Sequence, residues 1–365
     1  MHYRIFETWR LIAALSIMMW HFLRFAPPGN EDIGAYLYRL LAVMEMFFMI
    51  SGYLIMERYG HALFRSPGSF RAFLVRRLAR FYPLYLVTLL FFCGVALAIQ
   101  SGIVQTEDPG RYAWNVLPAN ILLVQAWGLT DQLTFNYVAW CLSAEWFCYL
   151  LLPLVVIFHR AAGLAGLALL AGALVVALEV AVARGAMPVE NWLRADTWGA
   201  YRAFADFTIG ALVSVAVRRS AFRLAAQWPA WALFALSLAA MATRQHAALI
   251  VALLAAAMYV AALAERNDPE GSRYLAFLHP VGKVSLGIYL IHPVIEAVFF
   301  SVLWRKVIAP TETVGFYAYW LLPCAATIAL AILSERFFER PVGRYVVARL
   351  APRGTRPHPS ALPAG

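Results

Sequence analysis

The chain is short of charge. Only 14% of its 365 residues are Asp, Glu, Lys or Arg while 62% are apolar, against about 25% charged in an average soluble domain. That leaves too little polar surface to cover a water-soluble globule and excludes a cytosolic multidomain enzyme. Lysine is nearly missing, with Lys283 and Lys306 the only two among thirty cationic residues. The four cysteines, Cys93, Cys141, Cys148 and Cys324, lie in apolar stretches without metal-ligand spacing, so neither a disulfide framework nor a metal site is expected. Period-two alternation is also missing, which excludes a membrane barrel. What remains is an all-α, polytopic transmembrane helical bundle, because helices satisfy their own backbone groups in lipid. The first apolar run lacks a small-residue cleavage site, so it is expected to stay as a helix.

Ten long apolar runs read as spans, at 8–26, 36–56, 81–100, 138–158, 161–183, 203–217, 228–243, 247–264, 284–303 and 315–337. A shorter run at 113–127 decides on which side everything after it lies, and the positive-inside rule arbitrates. If it does not cross, twenty-one Lys and Arg face the cytoplasm and nine face out; if it does, the division is fourteen to sixteen. The expected topology is therefore about ten spans in the cell (inner) membrane, N and C termini cytoplasmic, with 113–127 re-entrant or interfacial. Residues 1–350 read as one membrane domain without internal repeats, and the proline-rich 351–365 as a disordered tail. The net charge of +10 marks topology and lipid contact before any nucleic-acid partner. The preference for arginine suits bidentate phosphate binding, or reflects a GC-rich genome.

An ionisable group inside a span costs about 2.5–3.5 kcal/mol on insertion scales, so each is either functional or paired with another. They are His21, Arg39, Glu45, Glu145, Glu179, Asp206, His292 and Glu296. Arg10 and His21 single out the first span. They are separated by about 1,100° of helical rotation, hence lie within about 20° of one face and about 16 Å apart along the axis. One helix thus presents a cation near the cytoplasm and an imidazole deeper in the bilayer, a ruler for a long anionic cofactor. In W-C-L-S-A-E-W-F-C-Y, Trp140 to Tyr149, Glu145 sits roughly 10 Å below the outer end of its span, and His21 roughly 7 Å below that of the first. Their similar depth makes Glu145 the expected partner that orients the His21 imidazole as a general base. The run V-R-R-L-A-R-F-Y-P, Val75 to Pro83, brings Arg76, Arg77 and Arg80 to the level of Arg10, with Pro83 expected to start the third helix. It reads as a positive-inside anchor or as a pyrophosphate clamp. Glu179, Asp206 and Glu296 read as structural pairs, and Ser51–Gly52 as a point of close helix approach.

These pieces resemble the acyltransferase-3 family of integral membrane acyltransferases. Arg10 to His21 is similar to its R-x10-H pattern, with acidic Glu7 ahead of the arginine. E-M-F-F-M-I-S-G-Y-L-I at 45–55, R-R-L-A-R-F-Y-P at 76–83, W-x-L-S-x-E-x-x-x-Y at 140–149, I-Y-L-I-H at 288–292 and E-R-P-V-G-R at 339–344 follow in the family's order. Cys141, where serine is common, and Trp146 are departures, and no SGNH-type esterase-like domain is present in the sequence read. Transfer to the final acceptor is thus expected from the membrane domain itself or a separate partner.

The resemblance implies transfer of an acyl group, most often acetyl, from cytoplasmic acyl-CoA to a hydroxyl of an extracytoplasmic or lipid-linked carbohydrate. Acyl-CoA would be a donor substrate, with no permanently bound cofactor. Arg10, Arg77 and Arg80 would hold its phosphates, and His21, oriented by Glu145, would deprotonate the acceptor or carry the acyl group itself. Glu45, Trp140, Ser143, Tyr149 and His292 complete the expected pocket. Trp140 and Tyr149 would stack on the sugar or form an interfacial belt, and His292 would line the acyl pocket or bond a carbonyl freed by Pro293. The rival reading, a secondary transporter using Glu45, Asp206 and Glu145, requires inverted repeats with interrupted helices, and none is visible. On the ten-span topology, a reporter enzyme fused after Gly128 is expected to read extracytoplasmic; a cytoplasmic signal would reverse every later loop.

Overall fold

Helix forms wherever the apolar runs are long, and no strand occurs among the described residues. In this computed structural model those are residues 3–64, 66, 68–194 and 197–351, so most of the expected disordered tail lies outside them. The principal helices are α1 (Arg4–Leu23), α2 (Glu31–Tyr59), α3 (Ser69–Gln100), α4 (Trp140–Leu150), α5 (Leu152–Ala183), α6 (Gly199–Arg219), α7 (Trp228–Ala242), α8 (Ala247–Asn267), α9 (Ser285–Thr311) and α10 (Phe316–Leu350). Seven of them, all but α1, α4 and α7, are long and apolar enough to cross a membrane. α5 is broken at Gly163, whose φ of 60° lies in the left-handed region that glycine enters without steric penalty. That break falls just inside the start of the run expected at 161–183.

The segment 113–127 holds a 3-10 turn, Trp114–Val116, and a short α-helix, Leu117–Ile121, the latter about 7.5 Å long against a hydrocarbon core of about 30 Å. It is tied down rather than threaded through. The Tyr85 hydroxyl donates to the Asn120 carbonyl at 2.8 Å, and the Ala126 amide donates to Ser143 Oγ at 3.0 Å. Trp127 Nε1 donates to the Ser143 carbonyl at 3.0 Å. Ser143, expected in the pocket, is instead the fastening point for this segment.

α6 is the centre of the bundle, packed against α2, α4, α5 and α8. Its contact with α2 brings the two backbones together. A Cβ on Gly52 would lie 1.9 Å from the Phe207 carbonyl oxygen, and one on Gly210 would lie 1.9 Å from that of Met49. With lipid on the outside there is no hydrophobic drive between helices, so such backbone-to-backbone van der Waals contact is what joins them. At the same interface the Arg202 guanidinium of α6 donates to the Glu45 carboxylate of α2, with both side chains buried. Breaking a buried pair of this kind by removing one partner costs about 3–5 kcal/mol.

α3 begins at Ser69, so Pro83 lies inside the helix instead of starting it, and Arg76, Arg77 and Arg80 are helical. Pro83 has no N–H to give the Ala79 carbonyl one turn earlier. That carbonyl faces α10, where Gly343 comes so close that a Cβ would be 2.8 Å from the oxygen. The basic motif and the E-R-P-V-G-R motif thus meet at one backbone contact.

The α2–α6 contact leaves no room for a methyl group. Gly52→Ala is expected to destabilise the detergent-solubilised protein by about 3 kcal/mol or more, seen as a lowered thermal unfolding midpoint. Gly94→Ala, where an added Cβ meets nothing within 4 Å, should leave the midpoint where it is.

Candidate active site

A pocket between α1, α2, α3, α4 and α9 is lined by Arg10, Ser51, Arg77, Arg80, Glu145, Tyr149 and Tyr289, among apolar neighbours. Glu145 is its one acid, so three guanidiniums leave it net positive. Arg80 is exposed and Arg10 and Arg77 are half-buried, which places the opening at Arg80. Two of the guanidiniums, those of Arg10 and Arg77, rest against aromatic rings. Arg10 lies 5.3 Å from the Phe47 centroid, and Arg77 lies 5.5, 5.6 and 5.7 Å from those of Tyr59, Phe73 and Tyr149. Cation–π contact fixes a guanidinium without neutralising it, so its charge stays available to an anion. Glu145 accepts from Ser51 Oγ at 2.7 Å and from the Tyr149 hydroxyl.

A second polar cluster surrounds His21, near the other end of α1. Its Nδ1 is 2.9 Å from the Tyr137 hydroxyl, which donates to Glu296 Oε2; Nδ1 and that carboxylate oxygen are 3.8 Å apart. Tyr137 precedes α4 on a turn clamped by Asn136, whose amide donates to Thr88 Oγ1 of α3 at 2.8 Å and to the Leu290 carbonyl of α9 at 3.2 Å. Arg111 covers the Tyr137 ring at 4.1 Å. From Glu296 to Ile308, α9 is underwound into π-helical bonding, a distortion that recurs at functional sites.

α9 joins the two clusters. Tyr289 lines the arginine pocket, and its ring is 5.8 Å from that of His292, which is in turn 5.1 Å from that of His21. A continuous line of side chains therefore runs from the cations to the imidazole. A family model described as an acyltransferase domain, of the acyltransferase-3 type, matches residues 3–336.

The chain belongs to the acyltransferase-3 family.

It is a membrane acyltransferase, similar to Acyltransferase MdmB of Streptomyces mycarofaciens, with 26% identity over 96% of this chain and 94% of that one. Protein 2 in picA locus of Rhizobium radiobacter is 30% identical over 36% of this chain and 78% of its own length. No solved structure matches the chain.

In this acyltransferase the pocket gathers Arg10, Arg77, Arg80, Glu145 and Tyr149. It does not pair Glu145 with His21. α4 packs on α6 and α1 packs on α9, so Glu145 goes to Ser51 and Tyr149 while Glu296 of α9 approaches His21. The expected match in depth also fails: the turn just before α4 meets His21 through Tyr137, so Glu145, further along α4, lies at the Arg10 end of α1. Glu45, expected in the pocket, is fully buried against Arg202. Trp140 is no open stacking platform: it is buried beneath the Arg202 guanidinium, 4.6 Å from its centroid, with Gly199 on its face. Glu179 accepts from Trp192 Nε1 at 2.8 Å, the structural role expected of it. Glu296 leaves that class, and Tyr137 was missed altogether because a tyrosine in a loop carries no periodic or burial signal. Arg202 was missed because it falls one residue before the apolar run at 203–217.

Proposed function

We propose that this membrane acyltransferase moves an acyl group, most often acetyl, from cytoplasmic acyl-CoA to a hydroxyl of an extracytoplasmic or lipid-linked carbohydrate. The observation that carries the reading is α1, which places Arg10 in the cationic pocket and His21 in the Tyr137–Glu296 cluster, with Tyr289 and His292 bridging them. Arg10, Arg77 and Arg80 hold the donor phosphates, for which the guanidinium fork is suited. Glu145 offsets part of the repulsion among the three cations. The acyl-bearing arm of the donor extends along α1, where the Arg10-to-His21 span is about 16 Å.

At His21 the imidazole takes the proton of the acceptor hydroxyl as its oxygen bonds to the thioester carbonyl carbon. The tetrahedral intermediate collapses, the C–S bond breaks, and the leaving thiolate takes the proton from the imidazolium. The product ester remains on the outer side and CoA leaves toward the cytoplasm. Holding both reactants against one base converts an encounter of three groups into a local step. The multi-pass chain sits in the inner membrane with both termini cytoplasmic, which puts the arginines on the side where acyl-CoA is found.

Membranes containing the protein, incubated with [14C]acetyl-CoA, are expected to pass label into glycolipid or polysaccharide fractions. His21→Ala should abolish transfer at unchanged protein level, and full activity in that variant would overturn the mechanism. Arg77→Gln should raise the KM for acetyl-CoA about 10-fold or more, the worth of one charge-assisted phosphate contact, with kcat little changed. An unchanged KM would reduce the arginine to a topology anchor.

A further inference from the structure

The Tyr137 hydroxyl has one proton, and it is directed at Glu296 Oε2. The same oxygen lies 2.9 Å from His21 Nδ1. With its proton committed to the carboxylate, the hydroxyl can only accept from the ring, so Nδ1 carries the hydrogen and Nε2 presents the lone pair. We propose that Tyr137 and Glu296 are positioning residues of the acyl transfer: Glu296 sets the rotor of the Tyr137 hydroxyl, which sets the tautomer of His21 and leaves Nε2 as the atom that takes the acceptor proton. This rests on His21 being the base.

The surroundings fit a device built for orientation. Asn136 anchors the turn that carries Tyr137 to both α3 and α9, so the hydroxyl cannot swing away independently of the helices. Arg111 stacks on the face of the Tyr137 ring rather than pairing with the carboxylate. The other groups that face His21 are His292 of α9 and Arg24, one turn further along α1. Glu296 is thus the only carboxylate within reach of the ring among the described residues. When Nε2 takes the acceptor proton, the positive charge on the imidazolium lies 3.8 Å from that carboxylate, measured from Nδ1. The charge is relieved when the thiolate leaves with the proton, and the Nδ1–H tautomer is restored with no net change in the three side chains. An orienting carboxylate behind a catalytic histidine is a recurrent arrangement; here a tyrosine is interposed.

The test is transfer of label from [14C]acetyl-CoA to the endogenous acceptor in membranes holding the full chain as Tyr137→Phe, Glu296→Ala, the double variant or Glu296→Gln, each normalised to protein level. Tyr137→Phe and Glu296→Ala should each lower the maximal rate about 100-fold while the KM for acetyl-CoA stays within about twofold. The double variant should be no slower than the slower single, because a relay acts as one unit. Glu296→Gln, which still accepts from the Tyr137 hydroxyl at nearly the same volume, should recover part of the rate lost in Glu296→Ala. Multiplying losses, a raised KM, or a Glu296→Gln variant no faster than Glu296→Ala would reduce the pair to packing and overturn the proposal. If His21→Ala is inactive while the Tyr137 and Glu296 variants keep the wild-type rate, the relay fails and the base stands. If His21→Ala is fully active, the base itself is wrong.

Discussion

The closeness of α2 to α6 is the constraint on which the arginine pocket depends. Two glycines, Gly52 and Gly210, each lie where a side chain would collide with the partner's carbonyl. The residue before Gly52 is Ser51, whose hydroxyl holds Glu145; the position of the pocket's only acid is therefore set by how far the two backbones can approach. Two turns earlier on α2, Glu45 meets Arg202, which fixes rotation where the glycines fix distance. A buried pair costs desolvation and adds little net stability. Its value at this crossing is that a rotated or slid α2 would leave both charges unpaired.

α1 has to satisfy two environments that want opposite things. At its Arg10 end it contributes a cation to a net positive pocket, where Arg10 and Arg77 are planted on aromatic rings that leave their charge unneutralised. Further along it contributes an imidazole whose neighbours are a hydroxyl and a carboxylate. Arg10 and His21 share a face because both look toward α9, and α9 supplies a side chain to each cluster. Helix periodicity alone dictates that separation and that shared face.

Much of this was legible in sequence because lipid simplifies the reading. Runs such as 81–100 and 247–264 admit only helix, and the shortage of charge inside them made His21, Glu145 and Glu296 visible at once. The arginines of α3 were legible for the same reason, since three of them fall within five residues of one motif. Partner choice was not legible. Glu145 and Glu296 both stand in apolar runs, but the turn before α4 already meets His21 through Tyr137, so Glu145 falls further along beside Arg10 and Glu296 of α9 meets the imidazole. Tyr137 lies in an irregular turn whose path is fixed by Asn136, and no periodicity announces such a path. Pro83 misled for a related reason: proline at a helix start is the commoner case, and its tolerance mid-helix rests on a glycine 260 residues later.

That glycine ties an early helix to the end of synthesis. Between Arg77 and Arg80 on α3 lies Ala79, whose carbonyl Pro83 leaves without a donor, and α10 is the element that closes over it at Gly343. A nascent chain emerging from the ribosome has already inserted α1, α2 and α3, yet the backbone beside its arginines stays uncovered until the last helix docks. The backbone between two of the pocket's arginines is therefore covered by the last helix of the chain to be made, although that helix supplies no side chain to the pocket itself.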